Sequence, residues 1–269
     1  MNSPYRVCSW HWFGLSVITA FVLLVRGSLV VASLSASSPA FKVHLPLIFH
    51  SEPCQPLNGE RYTTLSAYPP GPHLPAEVHP DFNLAIQGYV PTDAHKGLVE
   101  YDGQADPAAP QFAGLFAEPR LPLFRLTCQV YLWDWVQMRR GLPITNPPVT
   151  LLFLETTPGE TLHVPDSGYT IGSGCEVLVL YASEERITLK YTREDNVVYG
   201  YTLHVEGVCV DPALLALYRA CNEAGRSQLP ALRPRQAFGR ARNNQVGIAI
   251  RDCGTFLDPR SRKDWWRDY

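Results

Sequence analysis

Polar and apolar residues alternate from Arg186 to Thr192, which places Ile187, Leu189 and Tyr191 on one face. This is the two-residue period of a half-buried strand. Cys175 to Tyr181 and Val197 to Val205 read as neighbouring strands, set off by the turns Ser183-Glu184-Glu185 and Glu194-Asp195-Asn196. Strands joined by turns this short form an antiparallel meander. Upstream, Leu126 to Val136 has the aromatic and β-branched content of a strand, Asn146-Pro147-Pro148 breaks the chain, and Val149 to Leu154 is apolar again. Asn83 to Tyr89 and Gly114 to Phe116 are shorter apolar segments, and Gln245 to Arg251 is a late strand. One helix is predicted. Asp211 is its N-cap, Pro212 takes its first position, and Leu214, Leu215, Leu217, Tyr218 and Cys221 have helical spacing before Gly225. The expected fold is mostly β: antiparallel sheets in an open, barrel-like sandwich with one short helix.

The first residues carry an address. Phe13 to Val25 is an apolar run behind a start whose single positive side chain is Arg6; Arg26 and a second apolar stretch, Leu29 to Leu34, follow. A short apolar core followed by small residues fits a secretory signal peptide, with cleavage among Ala32, Ser33, Ser35 and Ala36. The alternative is an uncleaved anchor, in which Arg26 sits near the middle of the span at a cost of about 2.5–3.5 kcal/mol. Both readings of 1–36 send the rest of the chain out of the cytoplasm. Residues 37–80 read as a Pro-rich linker, and 81–269 as the β domain.

Composition narrows the classes. The 24 prolines outnumber the 19 glycines, which argues against a helical bundle. A net charge of −2 provides no field to attract nucleic acid. A membrane contact is expected only through an uncleaved N-terminal segment. Setting aside Cys8, six cysteines remain: Cys54, Cys128, Cys175, Cys209, Cys221 and Cys253. An exported chain can pair them in up to three disulfides, or keep some as buried thiols. No Cys-x-x-Cys, phosphate loop, dinucleotide fingerprint or Gly-x-Ser-x-Gly elbow occurs.

Four tryptophans are candidate binding groups, since exposed indoles stack on sugar rings or fill partner pockets. Trp133 and Trp135 share a strand face, which suits a core. Trp265 and Trp266 lie among charges near the chain end, where an exposed ring is expected, so the binding role is placed there. His163, His204 and Asp195 have metal-binding chemistry but no spacing motif, and no metal ligand is assigned among them.

From Gly159 to Pro259 the order of elements resembles the lysostaphin-type zinc endopeptidases, which have the duplicated hybrid motif and cleave cell-wall peptides. The likeness is carried by Gly159-Glu160-Thr161-Leu162-His163-Val164-Pro165 leading into a turn, by Gly200-Tyr201-Thr202-Leu203-His204, by Arg235-Gln236-Ala237-Phe238-Gly239, and by the final strand with Asp258-Pro259. It places the peptidase-like part at 149–260 and sets His204 where the family has a catalytic histidine. The family's His-x-x-x-Asp and terminal His-x-His metal ligands have no counterpart: Thr145 to Leu152 holds neither histidine nor aspartate, and Gln245 to Ile250 holds no histidine. A looser alignment puts His204 on a ligand position, with His95 or His163 as partner. The resemblance therefore implies a degenerate, cofactor-free relative, exported and envelope-associated, that binds a glycan, peptide or protein. The alternative is an active zinc metalloendopeptidase acting on cell-wall peptides, with His204 at its centre.

Overall fold

A computed structural model describes residues 54–269. The signal or anchor reading of 1–36, and the linker up to residue 53, lie outside the described residues. The strands are β1 (Thr63–Ser66), β2 (Tyr89–Pro91), β3 (Phe124–Asp134), β4 (Arg139–Pro143), β5 (Leu151–Glu155), β6 (Thr161–His163) and β7 (Val177–Ala182). They continue with β8 (Arg186–Lys190), β9 (Tyr201–Glu206), β10 (Val208–Val210), β11 (Gln228–Leu232), β12 (Ala237–Ala241), β13 (Gln245–Asp252) and β14 (Thr255–Leu257). The helices are α1 (Leu84–Gln87), α2 (Pro212–Glu223) and α3 (Arg262–Trp265).

The fold is mostly β and antiparallel. The large sheet runs β1-β11-β7-β8-β9-β13-β5-β3-β2, with β14 on β13 and β4 on β3; a second sheet runs β10-β12-β6. Both sheets contribute to one core. Part of the expected linker belongs to this body: Thr63–Ser66 pairs with β11 as an edge strand, and Leu57 and Ala76 are buried. The helix at 211–225 forms as its pattern predicts. The Asp211 carboxylate accepts from the Ala213 and Leu214 amides, and Leu214, Leu215, Tyr218 and Cys221 are buried. Two four-residue helices, α1 and α3, add to it.

The meander has two very different faces. Ile187, Leu189, Leu203, Val205, Ile248 and Ile250 point into the main core. The alternate residues form a polar face in which cross-strand partners are also chemical partners. Arg186 opposes Glu206, Thr188 opposes His204, and Lys190 opposes Thr202. Arg186 Nε donates to Glu206 Oε2 at 3.1 Å, Thr188 Oγ1 lies 3.1 Å from His204 Nδ1, and Lys190 Nζ donates to Thr202 Oγ1 at 3.3 Å. A one-residue slip would put these groups in the apolar core, so the pairs help fix the register. Lys190 is fully buried, and burial pushes its amine down to about 7.

Polar as it is, this face is not left to water. The segment containing α1 covers its middle: Thr188 Oγ1 donates to Phe82 O at 2.6 Å. Leu84 packs there in a small second core with Cys128, Val130, Leu151, Phe153, Ala249 and Phe256.

Cys54 and Cys209 form a disulfide, the chemistry of an oxidising, extracytoplasmic compartment. Cys128, Cys175 and Cys221 are buried free thiols, so the six cysteines do not make three bridges among themselves. No described helix is long and apolar enough to cross a membrane.

Candidate functional site

Trp265 and Trp266 do not reach solvent. They are 2% and 0% exposed, which corrects the expectation of an exposed binding ring at the chain end. Trp265 stacks on Phe112 at 5.4 Å and meets Tyr201 edge-on, while Trp266 packs on Phe112 and Phe124. Their indole N–H groups donate to Asp258 O and Pro259 O, both at 2.9 Å. Arg260 closes the same segment. It grips both Asp258 carboxylate oxygens and donates to His95 O at 2.6 Å. Of the charges around the two indoles, Asp258 and Arg260 are paired inside the body, while Arg262, Arg267 and Asp268 are exposed.

His204 is equally remote from solvent. It is 0% exposed, and the Thr188 hydroxyl beside it spends its hydrogen on Phe82 O. That hydroxyl must therefore accept from His204, which puts the imidazole proton on Nδ1 and leaves Nε2 as a bare lone pair without a partner. Burial, reinforced by the nearby Arg251 charge, drives its proton affinity well below the usual histidine range. The imidazole is thus neutral and sealed, against the expectation of a catalytic histidine at a cleft. His163 stands on β6 in the other sheet, and Asp195 is bound to Arg226 at 2.7 Å. The described residues bring together no group of three or more His, Cys, Asp or Glu side chains placed to hold a metal ion.

The polar face opens into two grooves. The larger, of about 690 Å³, is lined by the satisfied Arg186–Glu206 pair, by Tyr89 and Phe153, and by Arg242, whose Nε lacks a partner. The smaller, of about 310 Å³, is the more pointed site. Its floor is Arg251, which is 2% exposed. Nη1 donates to Asp81 Oδ1 and Nη2 to Gln87 Oε1, each at 2.6 Å, and the guanidinium lies 4.0 Å above the Phe256 ring. Arg251 Nε has no partner. Trp133 and Trp135 form one wall, edge to face at 6.4 Å, and the buried Trp133 Nε1 has no partner either. Asn146 and Thr255 supply further polar groups.

Local folding explains why these residues converge. Trp133 is on β3 and Trp135 opens the turn just after it, and the two indoles meet edge-on at the groove. Arg251 stands on the polar side of β13, opposite Thr202 of β9, and α1 brings Gln87 over it. Trp135 also packs against His73 and His79, at 5.2 and 5.4 Å. His79 stacks on Phe82, and its Nδ1 accepts from the Asp81 amide at 3.2 Å. Burial, opposed by Asp81 and helped by His73 and the arginines, takes His79 from 6.5 down to about 4. At neutral pH the His79 ring is therefore uncharged, and the charged residues lining the groove are the paired Arg251 and Asp81. Arg251 escaped the sequence reading, although an arginine closing the apolar run Val246 to Ile250 was a visible signal.

No protein-family model, curated protein or solved structure matches this chain.

Proposed function

We propose that the chain is a non-catalytic, extracytoplasmic binding domain whose smaller groove takes a neutral glycan of the cell envelope. One observation carries the reading. Two unpartnered N–H donors, Arg251 Nε and Trp133 Nε1, belong to residues lining one groove walled by indoles. A buried donor without an acceptor is unfavourable by about 1–3 kcal/mol; both atoms lie just beneath the groove surface, so an incoming oxygen relieves it once the side chain shifts outward. Indole faces match the flat apolar side of a sugar ring. The Arg251–Asp81 pair cancels its own charge, which favours a neutral polyhydroxyl ligand over an anion. Asp81, Gln87 and Asn146 are suited to sugar hydroxyls, and acetamido carbonyls suit the two open donors. The Cys54–Cys209 disulfide and the apolar segment within 1–36 agree with export to the envelope.

Calorimetric titration with N-acetylglucosamine oligosaccharides tests the proposal. Binding is expected in the wild type and is expected to weaken at least about tenfold in Trp135→Ala, because each truncated hot-spot ring removes about 2 kcal/mol or more. Absence of binding, or equal affinity in Trp135→Ala, would count against a glycan role for this groove.

A further inference from the structure

The hairpin that supplies the groove's indoles has a second, outward-facing character. Val136 at its apex is 94% exposed, Leu142 77%, Leu132 54%, Met138 47% and Trp135 40%. The tip is a built turn: Asp134 Oδ1 accepts from the Val136 and Gln137 amides at 3.0 and 2.9 Å. Other turns of the fold display what a wet turn normally carries, such as Ser183-Glu184-Glu185 and Asn243-Asn244. Here the apex is Trp135-Val136-Gln137-Met138, followed at once by Arg139 and Arg140. Neither arginine forms an ion pair with a carboxylate among the described residues. Arg139 is exposed, and Arg140 donates to the Ala85 and Ile86 carbonyls.

We propose that this tip docks on an anionic lipid surface, with Val136, Met138 and Leu142 entering the headgroup boundary and Arg139 and Arg140 meeting phosphates. Exposed aliphatics at a convex apex gain from an apolar phase, and an indole beside them sits well at headgroup level. The two uncompensated guanidinium charges select an anionic surface and discriminate against a zwitterionic one. The surface is separate from the glycan groove except at Leu132 and Trp135, which border both. Its test therefore leaves those two residues intact.

The test uses the full chain with phosphatidylcholine vesicles, and with vesicles containing phosphatidylglycerol, read by amide hydrogen exchange. Cosedimentation alone does not decide it, because the apolar N-terminal segment can hold the chain on a vesicle. Exchange across residues 133–141 is expected to slow on the anionic vesicles only. The double variant Val136→Asp/Leu142→Asp is expected to abolish that protection while keeping the wild-type thermal midpoint. Arg139→Gln is expected to weaken the anionic preference about fivefold, the factor for one basic residue at such a surface. Unchanged hairpin exchange on bound wild-type protein would overturn the proposal. So would protection that grows with protein concentration in the absence of lipid, which would assign the tip to a second copy of this chain.

Discussion

The C-terminal segment and the smaller groove are assembled from the same parts: two tryptophans, a buried arginine and an aspartate. In the C-terminal segment each side-chain nitrogen of Trp265, Trp266 and Arg260 has an acceptor. Both indoles reach carbonyls, and Arg260 satisfies Asp258 through both carboxylate oxygens and spends another N–H on His95 O. In the groove Trp133 Nε1 and Arg251 Nε stay open, although the Arg251 side chain is as buried as that of Arg260. Saturation makes the first a structural lock. Incomplete saturation, beside a cavity, is what makes the second a candidate site.

The largest difference is expected from the two arginines. Arg260→Met leaves Asp258, whose side chain is 2% exposed, without its counter-charge and with only the Tyr101 hydroxyl and the residue-260 amide as donors, and is expected to destabilise the protein by about 3–5 kcal/mol. Arg251→Met leaves Asp81, which at 21% exposure regains some water, so about 2 kcal/mol is expected. Denaturant unfolding of the two variants measures both. Equal losses would break the distinction between lock and site.

Acid sharpens the comparison, because a titrating group sits on the groove side. His79 packs against Trp135 and has its affinity lowered from 6.5 to about 4. Between those values the unfolded chain holds more protons than the folded one, so stability is lost as pH falls through that window. Glu176 acts oppositely. Burial lifts its carboxyl from 4.5 to about 7, the folded state holds the extra proton, and stability is lost as pH rises through 4.5–7. The two slopes oppose each other in the wild type. His163 and His204 add to the His79 slope, and Asp166 and Glu206 to that of Glu176, so the readout is the change from wild type: His79→Asn is expected to make stability rise less steeply with pH over this range, and Glu176→Gln to make it rise more steeply. Thermal midpoints between pH 4 and 7 read these changes, and a change of the same sign in both variants would refute the assignment.

Much of the scaffold is legible in the residues. The alternation at Arg186–Lys190, the turns around it and the Asp211-Pro212 helix start are local signals, and local signals survive folding. The site is less legible because its determinants are not local. Adjacent tryptophans among Arg, Lys and Asp look exposed until Phe112, Phe124 and Tyr201, all distant in sequence, enclose them. The polar alternates of β8 and β9 read as a solvent face, yet the segment containing α1 covers its middle, at Thr188 and His204. His204 shows the consequence: strand periodicity gives its direction, and only the covering segment reveals that nothing can reach it.

The smallest expected effect is the most discriminating. Phenylalanine keeps an aromatic ring but removes the indole N–H. In Trp265→Phe the Asp258 carbonyl loses its 2.9 Å donor and keeps only the Ser261 amide at 3.3 Å, and the smaller ring leaves a void in a sealed core, so about 2 kcal/mol of destabilisation is expected. In Trp133→Phe the donor removed had no partner, so no acceptor is orphaned and an unfavourable buried group disappears. That gain offsets the smaller ring, and stability is expected to stay within about 0.5 kcal/mol of wild type. Glycan affinity should nevertheless fall, because the lost N–H is one of the two donors the ligand would complete. A Trp133→Phe protein as destabilised as Trp265→Phe would mean that its N–H is already satisfied, and the contrast between a closed lock and an open site would lose its physical basis.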